Sequence, residues 1–142
     1  MIDTRDIDQL LPEVAKKARE FIALCEENGI KIIITSTYRD FECQDALFAK
    51  GRTKGGKKVT NARAGYSYHN FRVAFDVVPV VHGKAVWGDM ELWDRVGAIG
   101  QLIGLEWGGS WKRFVDRPHF QYTKGLKLAE FRAGKAKEVF DA

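Results

Sequence analysis

Ala74-Phe75-Asp76-Val77-Val78-Pro79-Val80-Val81 is the stretch that decides how this chain folds. Every residue in it except Asp76 is apolar, and valine dominates, a composition that favours a pleated strand over a helix. His82-Gly83 then supplies a turn, after which residues 84–87 can return antiparallel. Asp76 is the anomaly, because an ionised carboxylate in an apolar run is costly unless it is paired or bound to a cation. Arg72 or Arg39 could pair with it, and so could a metal ion.

Upstream, Pro12 stands at a helix N1 position and opens a 3.6-residue apolar period through Val14, Ala18, Phe21, Ile22 and Cys25, with Gly29 as the stop. Residues 30–35 are β-branched and too short for a helix, so they read as a buried strand with Arg39 just beyond its end. Residues 41–49 suit a short helix, and residues 50–63 mix glycine, lysine and threonine without an apolar period, as a loop does. Downstream, Leu92, Val96, Ile99 and Ile103 mark a second long helix over residues 91–105, with Gly104 near its end. Pro118 drives Arg117 towards an extended conformation, so residues 119–122 begin another short strand. The tail from Lys124 is weakly helical. These elements predict an α+β fold: a small antiparallel sheet with helices packed on it.

The chain has 142 residues, 45% of them hydrophobic, enough for one domain with a core. Its longest apolar runs fall far short of the roughly 20 residues that span a bilayer, so no stable membrane insertion is expected. The N-terminus lacks the basic and apolar regions of a secretion signal, which places the protein in the cytoplasm, at least at first. Cys25 falls on the apolar helix face, and no disulfide is expected with Cys43. The net charge of +4 favours a polyanionic partner without choosing one. Lys50, Arg52, Lys54, Lys57 and Lys58 would be the phosphate contacts of a non-enzymatic nucleic-acid module.

Three histidines occur. His82 lies in the turn and reads as solvated. His69 precedes Asp76 by seven residues, and His119 enters the last strand. A His-Asp-His inventory offers three protein ligands and leaves a position for water, the pattern of a catalytic rather than a structural zinc site. On residues alone, the competing reading leaves both histidines as ordinary core or surface side chains.

The segment from Gly65 to Asp76, with Ser67, His69, Ala74 and Asp76 in place, resembles the S-x-H-x-x-G-x-A-x-D signature of VanY-type D-alanyl-D-alanine carboxypeptidases and the related L-alanyl-D-glutamate endopeptidases of bacteriophages. Ser36-Thr37-Tyr38-Arg39 with Gln44 and Leu47 is similar to that family's S-x-Y-R-x-x-x-x-Q-x-x-L element. Glu106-Trp107-Gly108-Gly109-Ser110-Trp111 and Asp116-Arg117-Pro118-His119-Phe120 resemble its closing motif. The resemblance implies Zn2+ held by His69, Asp76 and His119, with Asp116 as general base and Arg39 beside the developing oxyanion. It also implies substrate contacts from Ser67 and Gln44. Arg39 has a second reading as a structural ion pair, and Glu106 is the rival base, to which we assign a supporting role. Trp87, Trp107, Trp111 and Phe114 either line a groove or fill the core. Arg72 replaces the family's glycine: it is either strained there, if the position needs positive φ, or it faces the cleft.

The resemblance further implies that residues 1–142 form one catalytic domain, monomeric and without a separate wall-binding domain. The expected activity is hydrolysis of the L-Ala-D-Glu bond in peptidoglycan stem peptides by a phage or prophage endolysin that leaves the host cytoplasm through a holin. D-Ala-D-Ala carboxypeptidase or dipeptidase specificity is the alternative.

Overall fold

The computed structural model describes residues 1–140. Its centre is an antiparallel sheet of β1 (Lys31–Ser36), β2 (Ala74–Val81), β3 (Lys84–Ala85), β4 (Glu106–Trp107) and β5 (His119–Gln121). The strand order is β1-β2-β5-β4, with β3 folded back on β2. Helices α1 (Pro12–Glu27), α2 (Phe41–Ala49), α3 (Met90–Leu102), α4 (Leu128–Arg132) and α5 (Ala136–Val139) complete the chain. As expected, Pro12 opens α1, and α3 gives way to Gly104 with φ +93°. The strand of residues 30–35 differs from expectation. It is β1 at the edge of the sheet, and because only one of its faces is covered, Ile32 is buried while Ile33 is 39% exposed.

Registration fixes which side chains meet. Across β2 and β5, Phe75 faces Phe120 and Asp76 faces His119. Successive residues of a strand point to opposite sides, so the two phenylalanines share one face of the sheet and the aspartate and histidine share the other. The phenylalanine face is the core. Phe21 of α1 lies 4.6 Å from the Phe120 ring and 6.2 Å from Phe75. Trp107 is the register partner of Phe120 and is buried beside it, so it belongs to the core alternative rather than to a groove.

α3 comes unusually close to this face because it presents glycines there. A Cβ on Gly97 would lie 2.4 Å from the Trp107 ring, and one on Gly100 would lie 2.6 Å from Phe120. The opposite face of the sheet is left free for chemistry, with rigid aromatic packing directly behind it.

Arg72 resolves in favour of a conformational demand. Its φ is +64°, the left-handed region that favours glycine, and its side chain points away from the cleft. The guanidinium donates to the Gln9 carbonyl at 2.9 Å and to Gln9 Oε1 at 3.0 Å, and stacks 3.7 Å from the Tyr38 ring centroid. These contacts offset part of the backbone cost.

Gly97→Ala should destabilise the protein although alanine is the better helix former. The methyl group gains about 1 kcal/mol in helix propensity but overpacks Trp107 at about 1–3 kcal/mol or more. Thermal unfolding should show a melting temperature lowered by several degrees, and an unchanged or raised value would contradict the close approach of α3.

Candidate metal centre

His69 sits in a 3₁₀ turn, Tyr68–Phe71, whose N-cap Ser67 accepts from the His69 backbone N–H at 3.3 Å. Its ring Nδ1 donates to the Thr37 carbonyl at 2.8 Å, which leaves the Nε2 lone pair free. That nitrogen lies 3.2 Å from Asp76 Oδ1. From the other side, His119 Nδ1 lies 3.4 Å from the same carboxylate oxygen, while its Nε2 lies 2.7 Å from Gln121 Oε1. One oxygen therefore stands between two imidazoles, and the ligand atoms of His69, Asp76 and His119 all lie within 4.8 Å of one another. Both histidines are buried and each has its outward nitrogen occupied, so both free lone pairs converge. The donor set of two nitrogens and one oxygen suits zinc with an open position.

Asp76 pairs with neither Arg72 nor Arg39. Burial by itself favours its protonated form, but the His69 charge and the hydrogen bonds from His119 and His69 outweigh that and hold the carboxyl well below the usual range. Burial likewise opposes a charged His119, and the Asp76 hydrogen bond and charge overcome it, raising His119 above its ordinary value.

The cluster opens into a cleft of about 890 Å³ whose walls include Arg39, Ser67, Tyr66, Trp111, Phe114 and Asp116. Trp111 packs 5.2 Å from the His119 ring. Asp116 is placed by two backbone bonds, donating to the Gly108 carbonyl at 3.0 Å and accepting from the His119 N–H at 3.2 Å. Gly108 is required there, because a Cβ would meet the Asp116 carbonyl oxygen at 2.3 Å. Desolvation pushes the Asp116 carboxyl above the ordinary carboxylate value, with His119 pulling down and Asp76 pushing up.

Arg39 reaches the cleft and also leans 3.8 Å from Asp3, so its loose ion pair is with the N-terminal segment. Gln44 does not face the cleft. It is fully buried, its Oε1 accepting from Arg39 at 3.1 Å and its Nε2 donating to the Ala62 carbonyl at 2.7 Å, so it positions the arginine and cannot touch substrate. Trp87 is exposed and packs on Trp93 away from the cleft; Trp111 and Phe114 take the groove alternative. Glu106 is also outside the cleft, bonded to Gln121 and Thr123. Sequence reasoning missed Gln121 and the Thr37 carbonyl. Gln121 was findable, since it lies two residues beyond His119 on one strand and so on the same face.

Residues 60–122 match the family model described as D-alanyl-D-alanine carboxypeptidase. The chain is 41% identical over 122 residues to the peptidoglycan L-alanyl-D-glutamate endopeptidase CwlK of Bacillus subtilis, covering 79% of this chain and 72% of that one. The chain belongs to this peptidase family. It is also 32% identical over 133 residues to the L-alanyl-D-glutamate peptidase of Listeria phage A118, covering 91% of this chain and 44% of the phage protein. Among solved structures, the family fold recurs in the Serratia marcescens L-Ala D-Glu endopeptidase ChiX, with a TM-score of 0.62 and 18% identity over 88% of this chain and 86% of that one. The D,D-pentapeptidase VanY, solved with Zn(II), matches with a TM-score of 0.60 and 18% identity over 87% of this chain and 83% of that one. No helix among the described residues is long and apolar enough to cross a membrane.

Asp76 and His119 contribute opposite pH dependences to the stability of the metal-free protein. Asp76, depressed, contributes stability above its unfolded value near 3.8 that is lost as pH falls through the folded value. His119, raised, contributes stability below its unfolded value near 6.5 that is lost as pH rises through the folded value. The melting temperature of metal-free protein should therefore fall as pH climbs above about 6.5, and Asp76→Asn should abolish that decline. A decline of equal size in the variant would contradict the pairing.

Proposed function

We propose that this chain is a zinc-dependent endopeptidase that hydrolyses the L-Ala-D-Glu bond of peptidoglycan stem peptides. The observation that carries the chemistry is the convergence of His69 Nε2, Asp76 Oδ1 and His119 Nδ1 at the floor of an open cleft. The substrate reading is supported by the two relatives above 30% identity, both named for L-alanyl-D-glutamate hydrolysis.

His69, Asp76 and His119 would hold the zinc, which would supply a Lewis acid and make water a better nucleophile there. The protein's own groups do the rest. Asp116, on the cleft wall with a carboxyl of raised proton affinity, takes the proton from attacking water and returns it to the leaving amine. Arg39, held by Gln44 and Asp3, presents a fixed positive charge to the developing oxyanion. Ser67 lines the same cleft while capping the turn that carries His69, so it can meet the peptide backbone without leaving its structural post. Trp111 and Phe114 form an apolar wall that excludes water from one side of the scissile bond. Glu106 is not the base in this reading, because its carboxylate is consumed by Gln121 and Thr123.

Likeness to the Listeria phage enzyme supports a finer reading: a phage or prophage lysis enzyme that reaches the wall through a holin and acts as a monomer. Cleavage of internal stem-peptide bonds, rather than trimming of terminal D-alanine, is what such a role demands.

Digestion of purified sacculi should release fragments with new N-terminal D-Glu. Release of single D-alanine without those fragments would replace the endopeptidase by a carboxypeptidase. Asp116→Asn should bind zinc with wild-type stoichiometry yet lose about 10²- to 10⁴-fold in kcat. Turnover close to wild type in that variant would move the proton transfer to another group.

A further inference from the structure

Glu106 is an acidic residue with no part in the cleft, yet its hydrogen bonds end at a metal-site histidine. It is the register partner of Gln121 on the neighbouring strand, and Gln121 shares its face with His119. Glu106 Oε1 accepts from Thr123 Oγ1 at 2.7 Å, and Oε2 accepts from Gln121 Nε2 at 2.8 Å. Gln121 and Thr123 are each 3% exposed, whereas Glu106 itself is exposed, so water reaches the carboxylate side of the network but not the amide that it orients.

We propose that Glu106 is a positioning residue that fixes which ring nitrogen His119 offers to the metal, acting through the orientation of the Gln121 amide. The inference rests on the zinc reading above and adds a determinant of metal affinity outside the ligand set. An ionised carboxylate has no proton to donate, so the Gln121 group facing Glu106 must be the NH₂. A flipped amide would set its carbonyl oxygen against the carboxylate, so the observed orientation is favoured and its oxygen is held 2.7 Å from His119 Nε2. A carbonyl oxygen only accepts, so that ring nitrogen must carry the proton. In the neutral imidazole that a metal requires, the lone pair is thereby placed on Nδ1, the nitrogen beside Asp76. Were Gln121 reversed, its NH₂ would face Nε2, demand a lone pair there and put the proton on Nδ1, where the ion belongs. The Thr37 carbonyl performs the equivalent task for His69 with a backbone atom. For His119 the same result depends on a side chain whose two ends are nearly isosteric, and among the described residues Glu106 is the partner that tells them apart.

The test removes that distinction and then restores it. In Glu106→Gln the partner can donate as well as accept, so both orientations of Gln121 become satisfiable. Zinc affinity of the metal-free protein, measured by competition with a chromophoric chelator, should fall about 10- to 100-fold. The double variant Glu106→Gln with Gln121→Glu exchanges amide and carboxylate. The carboxylate now at position 121 accepts from His119 Nε2 and from the amide NH₂ now at position 106, whose oxygen still accepts from Thr123. Its affinity should return to at least about a third of wild type. Melting temperatures of the metal-free proteins separate this from a merely structural role, which would lower stability in Glu106→Gln and leave zinc affinity in place. Unchanged affinity in the single variant, or no recovery in the double, overturns the inference while leaving the peptidase reading intact. Failure of the wild-type protein to bind zinc overturns both.

Discussion

A single carboxylate oxygen held between two imidazoles organises this molecule. Asp76 Oδ1 lies 3.2 Å from His69 Nε2 and 3.4 Å from His119 Nδ1, in the middle of an otherwise apolar strand. Without partners its charge would oppose burial, and with them it becomes the point on which three chain segments converge. The convergence depends on backbone register. Asp76 faces His119 across β2 and β5, and a slip of one strand by one residue would put them on opposite sides of the sheet. Register, in turn, is held from the opposite face, where Phe75 and Phe120 are packed against α1 and α3. The hydrophobic core and the chemistry are thus two sides of one pleat. A change in the core near Trp107 or Phe120 is felt at His119 through the strand they share or adjoin.

Much of this was legible because the relevant signals are local. Pro12 and the apolar period of α1, the valine-rich β2, and an aspartate stranded inside it all identify themselves in a few residues. The same is true of His69 and His119, whose motif context singles them out. What escaped depends on neighbours distant in sequence. β4 has two residues, too few for any period, yet it carries Glu106 and Trp107 to opposite faces of the sheet. Trp107 and Trp111 are four residues apart, and one is core while the other is cleft wall, because a 3₁₀ turn at Gly108–Ser110 separates them. The edge position of β1 also could not be read, since a β-branched run looks alike at the edge and in the centre.

Gln44 and Arg72 show how motif residues divide their labour. Gln44 belongs to the same sequence element as Arg39 but spends both ends of its amide inside the protein, so its service to the site is to hold the arginine. Arg72 occupies a position where the backbone is left-handed and a glycine would be free of strain. Its guanidinium finds Tyr38 and Gln9 on the far side from the cleft, so a cation was added to the chain without changing the charge of the site.

The central claim is that these three side chains bind one ion through two nitrogens and one oxygen. Zinc K-edge X-ray absorption of the loaded protein tests it most directly, combined with metal analysis of His69→Ala. The account predicts one zinc per chain in a nitrogen- and oxygen-only shell containing two imidazoles, and loss of that zinc in the variant. Sulfur in the shell, or full zinc occupancy without His69, would contradict it.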